Sequence, residues 1–183
     1  LIAGEAQSGE DVIKFENELG AYLGVKPIFA CNSGRTALYI ALQALNLKPG
    51  EEVIVTAYTC AIVFEVILRL GLKPVFVDVN PKTYNIDPEL ISKCITPKTK
   101  VLIPIHLFGR PCEMDSTMEI AEKHGLYVVE DVAQALGAEF EKTKVGTFGD
   151  LAIFSFAIGK SMTSGEGGAV AVKNKELIER VAR

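Results

Sequence analysis

The sequence predicts an α/β domain of three layers, α/β/α, on a mostly parallel sheet of about seven strands. Short runs rich in Val, Ile and Phe alternate with segments whose apolar residues recur at helical spacing. Two of the runs, VLIPI and LYVV, are continuously apolar rather than alternating, as strands covered on both faces are. Turn signals separate the elements: KPG at 48–50, GLKP at 71–74 and VNPKT at 79–83.

The elements follow in order. An acidic amphipathic stretch, GEDVIKFENELGAYLG, leads into a first strand, PIFACN at 27–32, and a helix-like segment at 35–47. The strand EVIVT at 52–56 and the helical spacing of 59–70 come next, then KPVFVDV at 73–79. KVLIPIHL at 100–107, helical spacing at 115–124 and LYVVED at 126–131 complete the alternating part. LAIFSF at 151–156 and GAVAVK at 168–173 add two strands, and KNKELIERVAR closes the sequence with a helical pattern. There is no internal repeat, low-complexity segment or linker, so residues 1–183 read as one domain.

Composition narrows the function. A formal net charge of −4 with no Lys/Arg cluster disfavours nucleic acid. No apolar run approaches the roughly 20 residues of a membrane span, and the N-terminus lacks the order of a signal peptide, so a cytoplasmic protein is expected. Cys31, Cys60, Cys94 and Cys112 are widely separated without a CxxC pair, and read as reduced thiols rather than as a metal site. His106 and His124 are too few for a metal, and His106 reads as a hydrogen-bonded core or loop residue.

In open α/β sheets, ligands collect beyond the carboxyl ends of the strands. There, CNSGRTAL sets small polar residues and Gly34 at a strand-to-helix turn, where free N–H groups and about half a positive dipole charge suit an anion. Taken alone, Ser33 is simply a helix cap. VVEDVAQ ends a buried strand with two carboxylates. One can be solvated, whereas an acid buried there needs a cationic partner. Gln134 follows Asp131 by three residues, a spacing that brings both to one side of a helical turn. Lys160 stands between the apolar FSFAI and the glycine-rich SGEGG. The GKS at 159–161 is not a phosphate loop, because Phe154 stands where that motif needs glycine. What remains is an amine in a semi-apolar loop, where desolvation and cationic neighbours favour a nucleophile toward carbonyls. An amine, a strand-end acid and an anion-binding turn are together what pyridoxal 5'-phosphate requires.

The blocks NSGRTAL, LKPGEEVIV, KPVFVDVNPKTYNID, HLFGRPCEMD, VVEDVAQALGA, GTFGDLAIFSF and GKSMTSGEGGAV, in this order and spacing, resemble the large domain of the DegT/DnrJ/EryC1/StrS family. These are pyridoxal-phosphate-dependent sugar aminotransferases of fold type I. The resemblance implies that Lys160 bonds to the cofactor and moves the substrate proton. Asp131 then pairs with the pyridine nitrogen and Gln134 approaches the ring hydroxyl. Ser155, with the backbone at Gly34 and Arg35, holds the phosphate. Cys60 occupies the position where the family stacks an aromatic residue on the ring, with Tyr58 as a substitute. Arg35 stands where a small residue is common, and either adds a phosphate contact or is solvated.

The implied reaction moves an amino group from glutamate or glutamine onto a keto group of a nucleotide-linked sugar, in a homodimer. Lys160 argues against the family's dehydratase branch, which carries histidine there. The family's small C-terminal domain is absent from the sequence, so a large domain alone is expected. The alternative expectation is a catalytically silent module that dimerises or regulates.

Overall fold

In the computed structural model, which describes residues 9–183, the expected alternation builds one seven-stranded sheet. The chain runs α1 (Glu10–Leu23), β1 (Ile28–Cys31), α2 (Gly34–Ala44), β2 (Glu52–Thr56), α3 (Ala61–Arg69), β3 (Lys73–Val77), α4 (Pro88–Cys94) and β4 (Thr99–Leu102). It continues with α5 (Met114–His124), β5 (Tyr127–Asp131), a hairpin of β6 (Glu139–Phe140) and β7 (Thr143–Lys144), β8 (Leu151–Ser155), β9 (Gly168–Val172) and α6 (Ile178–Val181). The sheet order is β1-β9-β8-β5-β4-β2-β3, with β9 antiparallel to both neighbours and the other pairs parallel.

The continuously apolar strands are explained by which face each residue serves. Successive side chains in a strand point to opposite faces, so Val53 and Val55 pack with α2 and α3 while Ile54 packs with α4 and α5. Leu151, Ile153, Val170 and Val172 likewise join the α2 side, together with Leu177 and Val181 near the C-terminus. Ala152, Phe154, Ala169 and Ala171 face α1. The central strands are therefore covered on both faces, which is why runs such as 53–55 and 151–154 are apolar at successive positions.

Three elements differ from the sequence reading. The strand expected at 100–107 is regular only to Leu102, because Pro104 has no N–H to give to a ladder. The segment stays beside its neighbours through single bonds: Ile103 N–H donates to the Ile54 carbonyl and Asp131 N–H to the Pro104 carbonyl, both at 2.9 Å. Helix α4 was not expected. It is only seven residues long with one buried side chain, Ile91, so it has almost no apolar period; its signals are the Asp87 cap and Pro88 in its first turn. The third difference concerns the residues after Asp131, which form successive turns rather than a helix: Ala135 N–H donates to Val132 and Ala138 N–H to Ala135.

A buried acid ties these parts together. Glu130, with no exposed surface, accepts from the N–H groups of Gly146 (2.7 Å), Phe148 (2.8 Å) and Gly149 (2.8 Å). It also meets His106 Nε2 at 3.2 Å. His106 Nδ1 accepts from Cys112 N–H at 3.0 Å, which leaves Nε2 as the ring's donor to Glu130. Neither carboxylate of the Glu130–Asp131 pair is solvated, contrary to the reading that one could be. His106 is the hydrogen-bonded core residue expected.

Glu130→Gln keeps the shape but turns an amide donor toward backbone N–H groups. It should lower the free energy of unfolding by about 2–4 kcal/mol, read as a lower urea midpoint at unchanged slope.

Candidate active site

At the start of α2, the Ser33 hydroxyl accepts from Thr36 N–H at 3.2 Å, and its carbonyl accepts from Ala37 N–H at 2.9 Å. The cap reading of Ser33 is therefore correct. Among the described residues it also leaves the Gly34 and Arg35 N–H groups without a partner in the first turn. A Cβ on Gly34 would lie 2.7 Å from Ser155 Cβ, so glycine is what allows the end of β8 to reach this turn. A Cβ on Gly168 would lie 2.3 Å from the Ser33 carbonyl oxygen, so β9 presses on the same loop from beneath. The Ser155 hydroxyl thus sits beside two free N–H groups, a donor set suited to a phosphate.

Asp131 ends β5 on the α2 side of the sheet, opposite to Glu130. Its side chain is buried and accepts from Ala133 N–H at 3.0 Å. Burial pushes its carboxyl pKa up, against the pull of that hydrogen bond and of the nearby Lys160 charge. Lys160 lies on the loop between β8 and β9, half-buried. The loop is tied to itself: Ile158 N–H donates to Gly165, Ser164 N–H to Phe156, and Lys160 N–H to Ala157. The amine is therefore carried by an ordered turn, near enough for its charge to act on Asp131, which among the described residues has no hydrogen-bonded cation.

Gln134 Oε1 accepts from Phe108 N–H at 3.1 Å. The Arg35 guanidinium reaches across to Glu65 on α3 at 3.8 Å in an exposed pair, so among the described residues only its backbone serves the α2 turn. Cys60 is exposed immediately before α3 and makes no capping bond. Tyr58, half exposed, packs its ring 5.9 Å from Tyr84 and 6.3 Å from Phe108. Tyr84, Asn85 and Phe108 were missed from sequence. Their stretches, VNPKTYNID and HLFGRP, showed only turn chemistry and block identity.

These residues fit pyridoxal phosphate on structural grounds. The close approaches at Gly34 and Gly168, which a Cβ would block, hold the Ser155 hydroxyl beside the α2 turn. Asp131 is a buried acid lacking the cation that a protonated ring nitrogen would bring. No group of His, Cys, Asp and Glu among the described residues could hold a metal ion.

The family model of the DegT/DnrJ/EryC1/StrS aminotransferases matches residues 1–183. The GDP-perosamine synthase of Caulobacter vibrioides is 41% identical over 173 residues, covering 94% of this chain and 47% of that protein. The dTDP-3-amino-3,4,6-trideoxy-alpha-D-glucose transaminase of Streptomyces venezuelae is 40% identical over 182 residues, covering 99% and 48% respectively. The X-ray structure of the aminotransferase from Psychrobacter cryohalolentis superposes with a TM-score of 0.93 at 41% identity, over 96% of this chain and 45% of that one. The chain therefore spans about half the length of these relatives, as their coverage of 45–48% states, and it belongs to the DegT/DnrJ/EryC1/StrS aminotransferase family.

Proposed function

We propose that these residues form the cofactor-binding part of a pyridoxal-phosphate-dependent aminotransferase. It would transfer an amino group from glutamate or glutamine to a keto group of a nucleotide-linked sugar. The observation that carries this reading is the buried Asp131 at the end of β5, with Ser155 at the end of the adjacent strand β8, packed against Gly34, and Lys160 on the loop that follows β8. The relatives named for GDP- and dTDP-linked amino sugars support the substrate class.

Bound pyridoxal phosphate supplies an aldehyde for covalent attachment and a ring that accepts electrons. Lys160 Nζ is the amine that would hold that aldehyde carbon, with water as the leaving group, and as a free amine it would carry the proton moved at the substrate carbon. The Asp131 carboxylate keeps a ring nitrogen protonated. Ser155 Oγ and the Gly34 and Arg35 N–H groups bind and orient the phosphate. Cys60 offers no ring to stack, and the half-exposed Tyr58 of the same loop is the ring that would take that place.

We extend the reading to a cytoplasmic homodimer. The four cysteines are free thiols, as a reducing compartment keeps them. Among the described residues, no helix is long and apolar enough to cross a membrane. Ile13 and Tyr22 on α1, with Ile158 and Met162 on the Lys160 loop, are large exposed apolar residues suited to burial between two copies.

Pyridoxal phosphate added to the protein should give a visible absorbance band, and borohydride should then fix its mass on Lys160. Full labelling of another lysine would sink the assignment. Lys160→Ala should reduce amino transfer from glutamate by at least about 10³-fold.

Asp131→Asn tests the acid. The folded-state pKa of Asp131 is raised, so ionising it costs stability at any pH above that value, and the cost vanishes below the ordinary carboxylate pKa of about 3.9. The cofactor-free variant should therefore melt higher than the parent at neutral pH and no higher in strong acid. It should also bind pyridoxal phosphate at least about tenfold more weakly.

A further inference from the structure

Asn85 lies in the loop between β3 and α4 and has been given no role in binding above. It is buried, 2% exposed, and its carboxamide is fully engaged with one short turn. Oδ1 accepts from Leu107 N–H at 3.0 Å, and Nδ2 donates to the carbonyls of Arg110 (2.9 Å) and Pro111 (2.8 Å). Arg110 N–H closes the turn on the Leu107 carbonyl at 2.9 Å.

The turn is strained. Phe108 has φ 55° and Gly109 φ 79°, two consecutive left-handed residues, the first of them an aromatic residue that this region disfavours by roughly 1–2 kcal/mol. Packing repays little of that cost, because the Phe108 side chain is 68% exposed. What the conformation achieves is the direction of the Phe108 N–H, which donates to Gln134 Oε1 at 3.1 Å. A backbone N–H can only donate, so the atom facing it must be the carboxamide oxygen. Nε2, with its two N–H donors, is turned the other way.

We propose that Asn85 is a positioning residue of the candidate site: by pinning the 107–110 turn it holds the Phe108 N–H on Gln134 Oε1, so that Gln134 offers its N–H donors to an acceptor oxygen of the bound molecule. Where that oxygen belongs to pyridoxal phosphate, the inference rests on the function proposed above. The hydrogen bonding of the turn does not.

Two measurements separate these. In the cofactor-free protein, amide hydrogen exchange at Phe108 should quicken about tenfold in Asn85→Ala, the worth of one ordinary hydrogen bond. Gln134→Ala should quicken it equally and the double variant no further, while β5 and β8 amides stay protected. Gly109→Ala, which strains the same turn with Asn85 in place, should give the same signature, so a fold defect peculiar to Asn85→Ala does not decide the result. Unchanged Phe108 exchange in both turn variants, or effects that multiply in the double variant, overturns the proposal.

With pyridoxal phosphate bound, the pH midpoint of its absorbance should shift in Asn85→Ala and Gln134→Ala alike, with no further shift in the double variant. A shift in Gln134→Ala alone overturns the positioning role. Absence of cofactor binding by the unsubstituted protein overturns the function reading instead, and the exchange measurement still decides for or against Asn85.

Discussion

Glu130 is held out of water by three backbone N–H groups from residues 146–149 and by His106 Nε2. A carboxylate buried without such partners would cost several kcal/mol; with them it becomes an anchor. Neighbouring residues of a strand face opposite sides, so fixing Glu130 on one side fixes Asp131 on the other, at the end of β5 that faces α2. The anchored 146–149 loop leads directly into β8, whose register against β9 sets Ser155 opposite Gly168. One satisfied acid thus orients the second acid and the strand that carries Ser155.

The cradle at α2 depends on contact distances rather than on charge. Gly34 and Gly168 let the Ser33 loop pack between the ends of β8 and β9, where any Cβ would collide with a neighbour. The first-turn N–H groups are thereby held in place by the sheet. Of the first-turn donors, Thr36 N–H goes to the Ser33 hydroxyl, and the Gly34 and Arg35 N–H groups have no partner among the described residues and are left for a ligand. Capping and anion binding, which compete as explanations of Ser33 in the sequence, coexist at different N–H groups.

The fold was legible because its signals are local: continuous apolar runs, helical spacing and turn residues each act within a dozen positions. Lys160, Asp131 and Ser155 were legible because strand ends are where such sheets gather ligands, and the family blocks reinforced them. The anchoring of Glu130 and Asn85 was not, nor was the pairing of His106 with Glu130. These partners lie 16 to 26 residues away in sequence, and only the folded chain shows which polar group meets which. For the same reason EDVAQ could be read as containing one solvated acid when both are buried. Short elements such as α4 escaped because one buried side chain makes no period.

Asp131 and Glu130 are adjacent, and both are removed from water, yet their environments differ in kind. Glu130 has every partner it needs, and its side of the strand is closed. Asp131 has one N–H bond and a raised pKa, with His106 and then Lys160 partly opposing the cost of its burial. Left-handed backbone at Tyr84 and Phe108 lies on the same open side, around side chains that stay exposed. Costs of this kind persist where a bound partner relieves them or where geometry is being held for one. A cationic ring nitrogen at Asp131 would relieve the burial cost, and an oxygen at Gln134 would use the donors that the Phe108 turn has aimed. Among the described residues, Asp131 and Gln134 thus keep charge and donors that the proposed cofactor would use, and the fully bonded Glu130 and Asn85 form the base that holds them.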